Sequence, residues 1–240
     1  MAGASAGPRT TSLRWWIGYR SWSAAGCPHR SRIDAARSGS LLMVTEEAEW
    51  LATLRPSRIR EVQAGATGWT SVDLIDVESG NGDVLRAALE TFGICVRLTR
   101  VGQARHLVRA MSERPRAPFV IFACHGEEGG IVLPELAAEL ERYQPFHRRL
   151  CGDDLRSFAT FEGADVIATG CDTGHPDLVR AVLGCGANSY LAPDGGPFGY
   201  ASFFAPVFVF YELTEGRSLA EAVNRLQRHD HELGMWRLHM

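Results

Sequence analysis

From residue 71 onward, short apolar runs alternate with amphipathic segments at nearly regular intervals. Ser71-Val-Asp-Leu-Ile-Asp-Val reads as a first strand, closed by the turn-rich Glu78-Ser-Gly-Asn-Gly. A helix follows over 83–92, with apolar positions 84, 85, 88 and 89 on one face. The pattern then predicts strands at 94–98, 119–124, 164–169 and 187–191, and helices at 102–111, 177–183, 200–214 and 218–231. Between the third and fourth strands, Ile131-Val-Leu suits a short antiparallel piece, and 134–142 and 153–161 suit helices. Strands separated by helices over short connections predict a parallel sheet covered on both faces, an α/β three-layer sandwich.

The first 42 residues differ. They are rich in Gly, Ser, Ala and Arg, show no sustained period, and carry net +5, so residues 43–240 carry −8. Being rich in Arg and Ser and poor in acids, they suit an organellar transit segment. The plainer reading is a start at Met43, where Met-Val-Thr-Glu-Glu-Ala-Glu-Trp opens a helix over 44–54. Either way, residues 1–42 are set apart as an extension and 43–240 as the folded domain. The net charge of −3 gives no reason to expect nucleic acid. The longest apolar stretch, 198–213, contains Pro206 and falls short of the ~20 residues that span a bilayer. Six cysteines without a CxxC pair, in a chain with ample core material, suggest a reduced, cytoplasmic protein.

Two of the predicted strands end in residues that can do chemistry. Phe119-Val-Ile-Phe-Ala-Cys ends in His125-Gly126, and Ala164-Asp-Val-Ile-Ala-Thr-Gly ends in Cys171. The carboxyl ends of strands are where open α/β sheets build their sites. A cysteine and a histidine there are the parts of a thiolate nucleophile and its base. Alone, each residue has a bland reading as a buried thiol or a hydrogen-bonding histidine. As a pair, in this order on these elements, they favour a reactive site. Cys124, His125, Cys171 and His175 together also have the residue types of a zinc site. Neighbours along a strand point to opposite faces, however, so Cys124 and His125 should not share a ligand.

This constellation resembles the caspase-like cysteine peptidases, which place a His-Gly strand before a Cys strand. The downstream blocks Gly170-Cys-Asp-Thr, Gly186-Ala-Asn-Ser-Tyr and Phe208-Val-Phe-Tyr-Glu-Leu-Thr-Glu-Gly216 are most similar to CHAT-domain proteins. The likeness spans about residues 70–230. It implies a caspase-like sandwich and a cysteine endopeptidase that needs no cofactor or metal. Cys171 would be the nucleophile and His125 the acid–base partner, with the Gly126 and Cys171 N–H groups forming the oxyanion hole. The start of the following helix would favour the thiolate. Two positions depart from the family pattern: Cys124 stands where caspases commonly have Ser or Thr, and Gly170 where a small residue such as Ala is usual.

The resemblance also places the loop after the first strand at the specificity pocket. Here that loop holds Asp76, Glu78 and Asp83 and no arginine, while Asp172 and Asp194 follow later strands. Carboxylates there would select a basic substrate side chain. Asp83 and Asp194 also have structural readings, as a helix cap and a turn residue. The expected partners are a protein or peptide substrate and a regulatory partner protein. A catalytically inactive scaffold that binds partners is the rival from another class. Phe203, Phe204, Phe208 and Phe210 read as core, Pro206 as a kink or restart in its helix, and His229, His231 and His239 as a solvated tail.

Overall fold

A computed structural model describes residues 71–114, 116–198 and 200–240. The extension 1–42 and the helix expected at 44–54 lie outside the described residues. The main sheet has six strands: β1 (Ser71–Val77), β2 (Cys95–Arg100), β3 (Phe119–Cys124), β7 (Asp165–Ala168), β8 (Ser189–Pro193) and β9 (Trp236–His239). Their spatial order is β2-β1-β3-β7-β8-β9, all parallel except the final β8–β9 pair. A small antiparallel sheet projects from the end of β3, formed by β4 (Gly126–Glu127), β5 (Gly130–Val132) and β6 (Arg149–Leu150).

Strand alternation sends side chains to two cores. Val120, Phe122 and Cys124 of β3 join one cluster, with Ala104 and Leu107 of α2 (Ala104–Ser112), Leu155 of α4 (Gly152–Arg156), and Leu178 and Val182 of α5 (Pro176–Gly184). Phe119, Ile121 and Ala123 face the other way. There they meet Leu85 and Leu89 of α1 (Gly82–Thr91), Val209 and Phe210 of α6 (Ala201–Thr214), and Val223 and Leu226 of α7 (Leu219–Gln227). Helices on both faces of a mostly parallel sheet make the three-layer α/β sandwich expected from the alternation.

Edge-to-face ring pairs lock each side: Phe122 on Phe161 and Phe119 on Phe210, with centroids 5.8 and 5.0 Å apart. At the α6–α7 corner, the buried Glu212 carboxylate holds Arg217 at 2.8 Å and Arg225 at 2.7 Å. A buried carboxylate requires such partners.

Several local expectations change. The stretch 134–142 yields only a four-residue helix α3 (Ala138–Glu141), because Leu133 and its neighbours are engaged with the small sheet through Leu133 N–H to Arg148 C=O. Helix α4 ends at Arg156, short of the predicted 161, and Phe161 turns instead into the core. Helix α6 does not restart at Pro206: it runs unbroken from Ala201 to Thr214, and the proline forfeits one N–H within it. Phe210 is core, but Phe204 is 39% exposed. The segment around His239 is not a solvated tail: it is strand β9, with Trp236 fully buried. A four-residue edge strand lying beyond a polar helix end leaves little periodic signal.

Candidate active site

The chain leaves β1 toward β2 on one side and returns to β3 on the other, so the order of strands reverses between β1 and β3. Crevices open at the carboxyl ends of strands at such a reversal. His125 stands at that end of β3 and is exposed, while Cys124 before it is 5% exposed and joins the core. Their opposite directions follow from strand alternation. They also remove Cys124 from any shared zinc site, and His175 has a separate task described below.

Cys171 is a free, half-buried thiol just past the end of β7. Two glycines bring its backbone against that of β3. A Cβ at Gly126 would fall 2.0 Å from the Cys171 carbonyl oxygen, and one at Gly170 would fall 2.8 Å from the Gly126 nitrogen. Only glycine permits this approach. The histidine-bearing and cysteine-bearing strand ends are therefore in direct main-chain contact.

The Val132 N–H bonds to the His125 carbonyl at 3.0 Å. That makes Gly126 and Ile131 a non-hydrogen-bonded pair, so the Gly126 N–H points away from β5. Among the described residues, the Cys171 N–H has no backbone acceptor. Both amides expected to form the oxyanion hole are thus left out of the sheet hydrogen bonding.

The turn after Cys171 is held on three sides. Thr173 Oγ1 donates to the Gly170 carbonyl at 2.6 Å, and Tyr190 Oη donates to the Thr173 carbonyl at 2.9 Å from the buried end of β8. Gly174 N–H reaches the Pro193 carbonyl at 2.9 Å, and Asp172 N–H reaches the Gly195 carbonyl at 2.8 Å. Asp172 has φ 54°, a left-handed conformation that Asp tolerates better than most residues. The loop after β8 also borders Cys171, since a Cβ at Gly196 would stand 3.8 Å from its Sγ.

Helix α5 does not begin at the cysteine. Its cap is His175, whose Nδ1 accepts the Asp177 N–H at 3.3 Å and whose ring lies under Gly129 of the β4–β5 turn. The helix thus starts where the sequence placed it, four to five residues past Cys171, and helix-end effects fade within about a turn.

The five carboxylates weighed for the specificity pocket divide. Asp76 is occupied within its own loop: Oδ1 accepts from Ser79 N at 3.1 Å and from Ser79 Oγ at 2.7 Å, and the Asp76 carboxylate fills the space beside Gly82. Glu78 is exposed, has φ 50°, and bridges to Cys124, which puts it beside His125. Asp172 and Asp194 are exposed near the cysteine turn. Asp83 pairs with Arg100 at the end of β2, and the N-cap position of α1 is Asn81.

Burial pushes the Cys124 thiol up to about 12, and the same cause raises the Tyr190 phenol. Cys124 therefore stays protonated beside the candidate nucleophile and does not compete with it. The sequence reading missed Thr169, Thr173, Tyr190 and Gly196. Thr169 was visible as a polar residue closing an apolar strand, while the others depend on contacts made by distant loops. No protein-family model matches the chain, and no curated protein matches it in sequence.

Proposed function

We propose that the chain is a cysteine endopeptidase of caspase-like type, closest in kind to CHAT-domain proteins, with Cys171 as nucleophile and His125 as its acid–base partner. The observation that carries this reading is the main-chain contact of Gly126 with Gly170 and Cys171, which joins an exposed imidazole and an accessible thiol at one rim of the sheet. In the proposed reaction the thiol proton passes to His125 and sulfur attacks the peptide carbonyl. The Gly126 and Cys171 amides stabilise the oxyanion. His125 then protonates the departing amine, leaving a thioester, and water activated by His125 releases the acyl half and restores the thiol. No step calls for a cofactor or metal.

Exposed Glu78, Asp172 and Asp194 favour a basic side chain before the cut, and Asp76 is withdrawn from that role by its bonds to Ser79. No helix among the described residues is long and apolar enough to cross a membrane. Cys124, Cys151, Cys171 and Cys185 are free thiols whereas Cys95 is disulfide-bonded, which departs from the fully reduced set expected from the sequence. We assign the protein to the cytoplasm, acting on a protein or peptide substrate under the control of a partner protein. A second reading, a non-catalytic scaffold, is favoured by one observation: Phe198 and Tyr200 are 84% and 86% exposed on the loop beside Gly196, as a partner-binding surface would be.

The test is covalent capture. A peptidyl acyloxymethyl ketone carrying arginine should label Cys171 in the full chain, read by mass spectrometry, and His125→Ala should slow that labelling at least a hundredfold. Equal labelling of the two proteins would favour the scaffold.

A further inference from the structure

Where the β3–β7 ladder ends, a side chain takes over from the backbone. The parallel register stops at Phe122 opposite Ala168, and the last main-chain bond runs from Thr169 N–H to the Phe122 carbonyl at 3.0 Å. Beyond it the regular ladder ends, His125 turning outward and Gly126 entering β4, though the two main chains stay in contact at Gly126, Gly170 and Cys171. Thr169 Oγ1 occupies the notch between them. It donates to the Phe122 carbonyl at 3.3 Å and accepts the Cys124 N–H at 3.3 Å. Thr169 is 4% exposed, so this hydroxyl replaces the missing ladder bond where water has little access. On the far side of the notch, a Cβ at Gly170 would lie 3.0 Å from Cys124 Sγ.

We propose that Thr169 is a positioning residue that sets the spacing between His125 and Cys171. Each of its two bonds ends within three residues of His125, and Thr169 itself lies two residues before Cys171. The hydroxyl therefore joins the two reactive strand ends through one atom. It fixes the height of the imidazole relative to the sulfur without touching either. The burial of Cys124 supports the same view: its thiol stays protonated and serves as packing against Gly170, not as a rival nucleophile.

This inference rests on the reading of His125 and Cys171 as a working pair, and the experiment separates the two. The rate of Cys171 alkylation by iodoacetamide is followed against pH by mass spectrometry of the Cys171 peptide, using the full chain. A working pair gives wild type a lower alkylation midpoint than His125→Ala. Thr169→Val, which keeps the shape and removes the hydroxyl, should move the midpoint at least halfway to that of His125→Ala. Thr169→Ser, which keeps the hydroxyl, should stay with wild type. If Thr169→Val fails to melt cooperatively, Thr169→Ala, which only removes atoms, makes the same comparison.

A hydroxyl-free variant that titrates like wild type while His125→Ala is displaced overturns the role of Thr169 and leaves the pair intact. Identical profiles for wild type and His125→Ala overturn the pair and the role of Thr169 with it.

Discussion

Gly126 and Cys171 meet main chain to main chain: a single added carbon at 126 would stand 2.0 Å from the Cys171 carbonyl oxygen. Neither backbone can yield easily, since Gly126 is tied into β4 and the cysteine turn is fastened by Thr173 and Tyr190. Gly126→Ala should therefore force the strand ends apart. Overpacking of this kind costs about 1–3 kcal/mol, and misplacing an oxyanion donor costs on the order of a hundredfold or more in rate. Thermal melts and peptide-ketone labelling check the two effects. Unchanged labelling in a fully folded Gly126→Ala protein would count against an oxyanion hole at this position.

The buried thiol of Cys124 gives the fold an alkaline weakness. Its pKa rises from near 9 when unfolded to about 12 when folded, so between those values the unfolded chain has released a proton that the folded chain keeps. The stability it contributes is complete below pH 9 and is lost as pH rises toward 12, at a slope of about 1.4 kcal/mol per pH unit. The raised Tyr190 phenol adds a second loss above pH 10. Urea melts across pH 8–11 should show the decline, and Cys124→Ala should remove its first limb. A flat stability across that range in wild type would contradict the burial of the thiol.

The charged rim should affect selection more than turnover. Replacing Glu78, Asp172 and Asp194 one at a time by the matching amide should lower kcat/KM for an arginine-bearing peptide by about twofold to fivefold each, the range for solvent-screened charge pairs. Raising the salt concentration should shrink the differences. Asp76→Asn should instead loosen the loop held through Ser79 and appear mainly in the melting temperature. Peptide panels varying the residue before the cut measure the first effect. Cleavage confined to peptides with aspartate there would refute a basic preference.

Phe122 packs edge to face on Phe161, in the segment between α4 and β7, and both rings are essentially fully buried. Phe122→Ala should cost about 3–5 kcal/mol, through lost transfer energy and the cavity left behind. Because the same residue's carbonyl accepts from Thr169, labelling at Cys171 should fall as well, whereas Phe161→Ala should cost comparable stability with a smaller effect on labelling. Chemical denaturation and the capture assay, run on the same samples, compare them.

The alternation of strands and helices was legible because buried parallel strands are continuous apolar runs and their covering helices keep a 3.6-residue period. The two strand ends of the candidate site were legible for the same reason: an apolar run that stops at a His-Gly or a Gly-Cys marks its own boundary. What lay beyond sequence reading was set by partners far along the chain. Asp76 looked like a pocket carboxylate until Ser79 was seen to hold it. The turn carrying Cys171 depends on Tyr190 and Gly195, which are ordinary in their own neighbourhoods. Strand β9 depends on pairing with β8 and not on any periodicity of its own.

That last strand carries a temporal consequence. Trp236 through His239 pair with Pro193 back to Tyr190, and the Met235 carbonyl receives the Asp194 N–H, so the wall beside Cys171 is braced by residues translated more than 60 positions after the cysteine itself. During synthesis the sulfur and the imidazole are both made long before their brace leaves the ribosome. Such an ordering means that the turn carrying Cys171 takes its braced form only after β9 has paired with β8.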